Sequence, residues 1–144
     1  MSEIRDFSFG DLSVGMESEL IWNVTENDID TFASLSGDAN PLHVDRAYAR
    51  SRGFRDRVAH GFMLGGKVSA FVGTVMPGRR CLLLEETLAF PNPVFAGDRI
   101  AINGKILELW PDQELLRLKI RATKIEDEKS VIVGRGSLLC QIRS

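Results

Sequence analysis

GFMLGGKVSAFVGTV, residues 61–75, is the stretch that dictates how the rest of the chain folds. It is apolar on most sides, carries one charge at Lys67, and stops at Met76-Pro77-Gly78. About fifteen residues at ~1.5 Å each predict a helix ~22 Å long, too apolar to lie on a surface and so a central buried element. Gly61, Gly65, Gly66 and Gly73 lower its helix propensity, and close approach of other backbone is the expected compensation.

What buries this helix follows it in sequence. Residues 82–90, 98–110, 114–126 and 130–143 are long strand-like runs, separated by Pro-Asn-Pro, Pro-Asp and an acidic turn. In the third run Leu116, Leu118, Ile120 and Ala122 alternate with Arg117, Lys119, Arg121 and Thr123, the pattern of a sheet with one wet face. A one-faced antiparallel sheet and an apolar helix satisfy each other, so the expected architecture is α+β, with the sheet wrapped round the helix. Residues 1–144 read as a single domain without repeats or linkers.

The half before the helix is more finely divided. ESELIWNV, residues 17–24, predicts a first strand through Leu20, Trp22 and Val24. TENDIDTFASLSG then has Thr25 as cap, Asp28 as the capping-box acid, an apolar face of Ile29, Phe32 and Ala33, and Gly37 as the left-handed stop. Asp45 can cap another short helix that runs to Gly53, and residues 51–58 read as a basic loop.

Composition restricts the function. The chain has 144 residues, 44% of them hydrophobic and 26% charged, with a net charge of −2, which lacks the basic surplus that binding a phosphate backbone requires. No segment has the ~18–20 apolar residues of a membrane helix and the first residues have no signal-like apolar core, so the cytoplasm is the expected location. Cys81 and Cys140, without CxxC spacing, read as small core hydrophobes.

Between the two helical segments lies SLSGDANPLHVD, residues 34–45. Pro41 holds Asn40 extended and suits the first position of a new turn, so Asn40 can cap Pro41-Leu42-His43. Asp38 then precedes the turn and His43 lies inside it, which lets a carboxylate and an imidazole converge on one water. On the residues alone, a decorated turn with a half-buried histidine is the favoured account of the pattern.

FASLSGDANPLHVD followed by VAHGFMLGG resembles the signature of the MaoC-like dehydratases, the (R)-specific enoyl-CoA hydratases also called hydratase 2. The match holds at Phe32, Gly37, Asp38, Asn40, Pro41, Leu42, His43, His60 and Gly61, and FPNPVFAGDRI resembles the family's Pro-Val-x-x-Gly-Asp segment. The resemblance spans roughly residues 15–142. It implies a hot-dog fold, Asp38 and His43 as catalytic dyad, Asn40 as a positioning group, and reversible addition of water to a trans-2-enoyl thioester to give the (R)-3-hydroxyacyl thioester. Within that chemistry the N–H of Gly61, at a helix N-terminus, suits the developing thioester oxyanion. His60 is expected to serve structure or capping.

The same reading expects no metal and no cofactor, the CoA thioester being substrate, because an activated enoyl thioester needs no Lewis acid. Contacts to the CoA phosphates fall to the basic segment, with Arg52, Arg55 and Arg57 as the main candidates and Arg50, Lys67, Arg79 and Arg80 behind them. An acyl-carrier-protein thioester is the alternative substrate, and a homodimer or dimer-based oligomer is expected from edge-strand pairing. The rival functions are a hot-dog acyl-CoA thioesterase and a non-catalytic acyl-thioester-binding subunit.

Overall fold

The computed structural model describes residues 3–126 and 128–144. A short 3-10 turn at Phe9–Asp11 precedes strand β1, Glu17–Asn23. Helices α1, Glu26–Ser36, α2, Pro41–Val44, α3, Arg46–Ser51, and α4, Gly61–Thr74, come next. Strands β2, Cys81–Ala89, β3, Arg99–Trp110, β4, Leu115–Glu126, and β5, Lys129–Ile142, follow. The five strands make one antiparallel sheet in the order β1-β3-β4-β5-β2, so β1 and β2 are its edges. With α4 packed on one face, this is the expected hot-dog arrangement.

The alternation read from sequence is what builds the core. Ile100, Ile102 and Ile106 of β3, Leu116, Leu118 and Ile120 of β4, and Leu138 of β5 are all fully buried, together with Val68 and Phe71 of α4. The helix sits close because two sheet residues lack side chains. A β-carbon on Gly104 would run into the Phe71 ring, and one on Gly134 into Leu64. This corrects the expectation that the helix glycines admit other backbone. Gly61 and Gly65 face side chains, and a β-carbon on Gly66 or Gly73 would meet no other described residue within 4 Å.

The segment before α4 is held by its caps. Thr25 and Asp28 form the reciprocal box, each backbone N–H donating to the other's side chain at 3.0 Å, and Gly37 ends α1 at φ 76°. Asn40 Oδ1 accepts from the Leu42 N–H at 3.0 Å and Asp45 Oδ1 from the Tyr48 N–H at 3.0 Å, so α2 and α3 both start where the sequence places caps. Among the described residues no helix is long and apolar enough to cross a membrane.

One buried ion pair fixes the loop between β2 and β3. Lys124 Nζ lies 2.8 Å from Asp98 Oδ2, both side chains 8% exposed. The Phe95 N–H donates to Asp98 at 2.8 Å, and Lys124 also donates to the Pro93 carbonyl at 3.2 Å. These hydrogen bonds satisfy charges whose burial would otherwise be costly, and they tie residues 93–98 to β4.

The seating of α4 makes a stability prediction. Gly104→Ala forces Phe71 off its position and is expected to cost about 1–3 kcal/mol, as overpacked cores typically do. Urea unfolding of the two proteins measures the difference.

Candidate active site

Asp38, His43, His60 and Gly61 are brought together at the N-terminal end of α4, while Asn40 lines neither cavity and caps α2. Each position follows from a local device. Asp38 lies in the link after α1, where its Oδ1 accepts from the Asn40 N–H at 3.2 Å; Pro41 then starts α2 and turns His43 back toward it. His43 Nε2 stands 3.8 Å from Asp38 Oδ2. That is too long for a direct hydrogen bond and suits two groups that share one water.

The ring orientation of His43 is set from behind. Its Nδ1 lies 2.6 Å from the Val58 carbonyl, which can only accept, so Nδ1 carries the hydrogen and a neutral His43 presents the lone pair of Nε2 to Asp38. Val58 is itself held: its N–H donates to the Leu42 carbonyl at 3.0 Å, and it bridges Phe95. The side chain of His43 is 16% exposed and that of Asp38 50%, so the acid faces the opening and the imidazole the interior.

His60 supports both members of the pair. It is buried, its ring stacks on His43 with centroids 3.8 Å apart and planes at 25°, and its Nε2 donates to the Asp38 carbonyl at 2.9 Å. It precedes α4 as the N-cap residue but makes no side-chain cap hydrogen bond, which corrects the capping half of its expected role. Asp38, His43 and His60 offer ligand-capable atoms all within 4.8 Å of one another. His43 Nδ1 and His60 Nε2 are already engaged, and ligation at ~2.0–2.1 Å would require the remaining atoms to draw together.

Two cavities meet here. One of about 340 Å³ is lined by Trp22, Phe54, Val58, Leu64, Val94 and Val133 among others. A larger one of about 750 Å³ runs past Asp38 along α4 and β2, with Phe62, Gly65, Ser69, Leu83 and Glu86 in its walls. His43, His60, Gly61 and Phe90 border both. Gly61 opens α4, so its N–H has no helical acceptor, and a β-carbon there would lie 3.0 Å from the Phe90 ring.

The three arginines proposed for CoA lie elsewhere. Arg57 is 11% exposed and pairs with Asp30 at 2.6 Å. Arg55 is 61% exposed, donates to Asp98 at 2.9 Å and lies over Phe95; Arg52 lies over Tyr48. None of the three lines either cavity.

Glu86 is the site residue that sequence reasoning missed. Counting by twos from Leu83 turns Glu85 inward, but a bulge between Leu83 and Glu85 shifts the phase and turns Glu86 and Leu88 inward instead. Glu86 Oε1 is buried with no hydrogen-bond partner among the described residues. Burial pushes its carboxyl up from the usual carboxylate range. An acid held above its unfolded value binds its proton more tightly when folded, so it favours folding at low pH and loses that contribution as pH rises from about 4.5 through the folded pKa. Glu86→Gln, neutral throughout, is therefore expected to be more stable than wild type at pH 7, with the gap closing toward pH 4. Urea midpoints across that range measure it.

Comparison with known proteins identifies the family. The model of the MaoC-like domain matches residues 14–127. The chain is 34% identical over 135 residues to an (R)-specific enoyl-CoA hydratase of Rhodospirillum rubrum, covering 94% of this chain and 92% of the relative. It is 35% identical over 118 residues to a 3-hydroxybutyryl-CoA dehydratase of Methylorubrum extorquens, covering 82% and 75%. The unliganded R-hydratase PhaJ1 of Pseudomonas aeruginosa superposes with a TM-score of 0.90 at 32% identity, covering 99% of this chain and 89% of that one. With the family model matching most of the chain and relatives of this closeness, the chain belongs to the MaoC-like dehydratase family.

Proposed function

We propose that the protein is an (R)-specific enoyl-CoA hydratase, a hydro-lyase in which Asp38 and His43 activate one water beside the Gly61 N–H. The observation that carries this is the 3.8 Å gap between His43 Nε2 and Asp38 Oδ2 at the mouth of the cavity that α4 opens. Its relatives named as hydratases and dehydratases supply the reaction class and the (R) configuration.

The geometry supports a simple sequence of steps. With the thioester carbonyl at the Gly61 N–H, a water held by the Asp38 carboxylate attacks C3 of the trans-2-enoyl chain while His43 Nε2 takes one of its protons. The alkene electron pair moves toward the carbonyl oxygen, where the N–H and the positive end of the helix dipole stabilise the developing charge. The proton held by the dyad returns to C2 and gives the (R)-3-hydroxyacyl thioester; dehydration is the reverse. Asn40 acts on the geometry, capping α2 so that His43 faces Asp38.

CoA thioesters are the substrates on this reading, with carrier-protein thioesters as the second class to try. Of the three candidate arginines, Arg55 is 61% exposed but already pairs with Asp98, so it is the candidate to test for a CoA phosphate held outside both cavities. A homodimer is proposed from two features: β2 is an open edge strand, and α4 leaves Phe62, Gly66 and Ser69 exposed beside it.

Crotonyl-CoA is the first substrate. Its enoyl absorbance is expected to fall with wild type and not to release free thiol, whereas Asp38→Asn and His43→Gln, folded by circular dichroism, are expected to lose about 10²–10⁴-fold in rate. Dialysis against a chelator is expected to leave the rate unchanged. Thiol release would shift the assignment to a thioesterase, and variants that kept full activity would remove the dyad from the mechanism. Light scattering at micromolar concentration is expected to give twice the chain's 16.0 kDa; a monomer mass would sink the dimer.

A further inference from the structure

Hydration as described uses Asp38, His43 and the Gly61 N–H and leaves Glu86 without a task. Yet Glu86 stands in the wall of the same cavity, among Leu83, Phe62, Gly65 and Ser69. Its Oε2 lies 3.7 Å from a β-carbon built on Gly65, one turn into α4 and so about 6 Å along the helix from Gly61. A chain whose thioester sits at Gly61 passes it several carbons further on.

An apolar residue here would complete an ordinary lipophilic channel. A carboxyl whose Oε1 is buried and, among the described residues, unpartnered instead costs desolvation energy, which a hydrogen-bonding ligand group would offset. The bulge in β2 is what aims this side chain, and not that of Glu85, into the cavity. Glu85 is turned out toward Arg117, 3.9 Å away.

We propose that Glu86 recognises a hydrogen-bonding oxygen on the acyl chain, so that the enzyme prefers 2-enoyl thioesters carrying a hydroxyl or keto group beyond the double bond over plain chains of equal length. The proposal rests on the hydratase reading and specifies its substrate class. Burial favours the neutral carboxyl, which can donate to such an oxygen as well as accept from it. A site built to hydrogen-bond a substrate group discriminates against the analogue that lacks it, because the protein group is then left unpaired.

The test pairs trans-2-hexenoyl-CoA with its derivatives hydroxylated at carbon 5 and carbon 6, in wild type, Glu86→Gln and Glu86→Leu. Wild type is expected to favour a hydroxylated chain about tenfold in kcat/KM, Glu86→Gln to keep part of this, and Glu86→Leu to prefer the plain chain. Calorimetric titration with the saturated hexanoyl-CoA and its hydroxylated counterparts reads the same ratios as Kd without turnover. If crotonyl-CoA is hydrated but these ratios are near one, or are unchanged in Glu86→Leu, the inference falls and the hydratase stands. If no enoyl-CoA is hydrated, the function falls, and the Kd ratios still decide the role of Glu86. A Glu86→Leu protein that becomes monomeric with unaltered ratios would assign the carboxyl to the subunit interface and overturn the proposal.

Discussion

The hydrophobic burial of α4 is the constraint on which everything else rests. A helix with Met63, Leu64, Val68, Phe71 and Val72 buried cannot be stable in water alone, and one sheet face must receive it. Gly104 and Gly134 make that face deep enough for Phe71 and Leu64. Once the helix axis is fixed, so is its first residue. The free N–H of Gly61 is held in place by a core well removed from it, the preorganisation that its proposed role as a donor requires.

The Asp38 and His43 pair is placed by a chain of contacts running the other way. The ion pair of Lys124 with Asp98 holds the loop that carries Phe95; Phe95 bridges Val58; and the Val58 carbonyl orients His43. His60 closes the circuit by stacking on His43 while holding the Asp38 carbonyl. Asp38 and His43 thus come from a short irregular segment, yet both are referred to the sheet. Such outer contacts decide tautomer and direction, and they share the precision of the site with its reacting groups.

Features governed by local chemistry were legible in the sequence. The caps at Thr25, Asn40 and Asp45, the stop at Gly37 and the run of four strands all reflect interactions within a few residues or a strict alternation. What escaped was set by contacts distant in sequence. Lys124 lies on the inward phase of β4, but only the position of Asp98 explains a buried ammonium there. The glycines of α4 drew notice because they break helix propensity, whereas Gly104 and Gly134, which admit the helix, lie inside strands with no local sign of their role. Glu86 was hidden by a bulge that alternation cannot foresee.

That bulge also divides β2 into two independently phased halves. Cys81 and Leu83 face inward before it, and Glu86 and Leu88 face inward after it. A one-residue length change in the first half can be absorbed by moving or removing the bulge without rotating the second half. Because Glu85 and Glu86 are adjacent, a one-residue slip that carries Glu85 into the place of Glu86 would still leave a carboxyl facing inward. The strand therefore buffers its cavity against insertion and deletion, so that the composition of this wall can persist through evolutionary drift in the segment that precedes it.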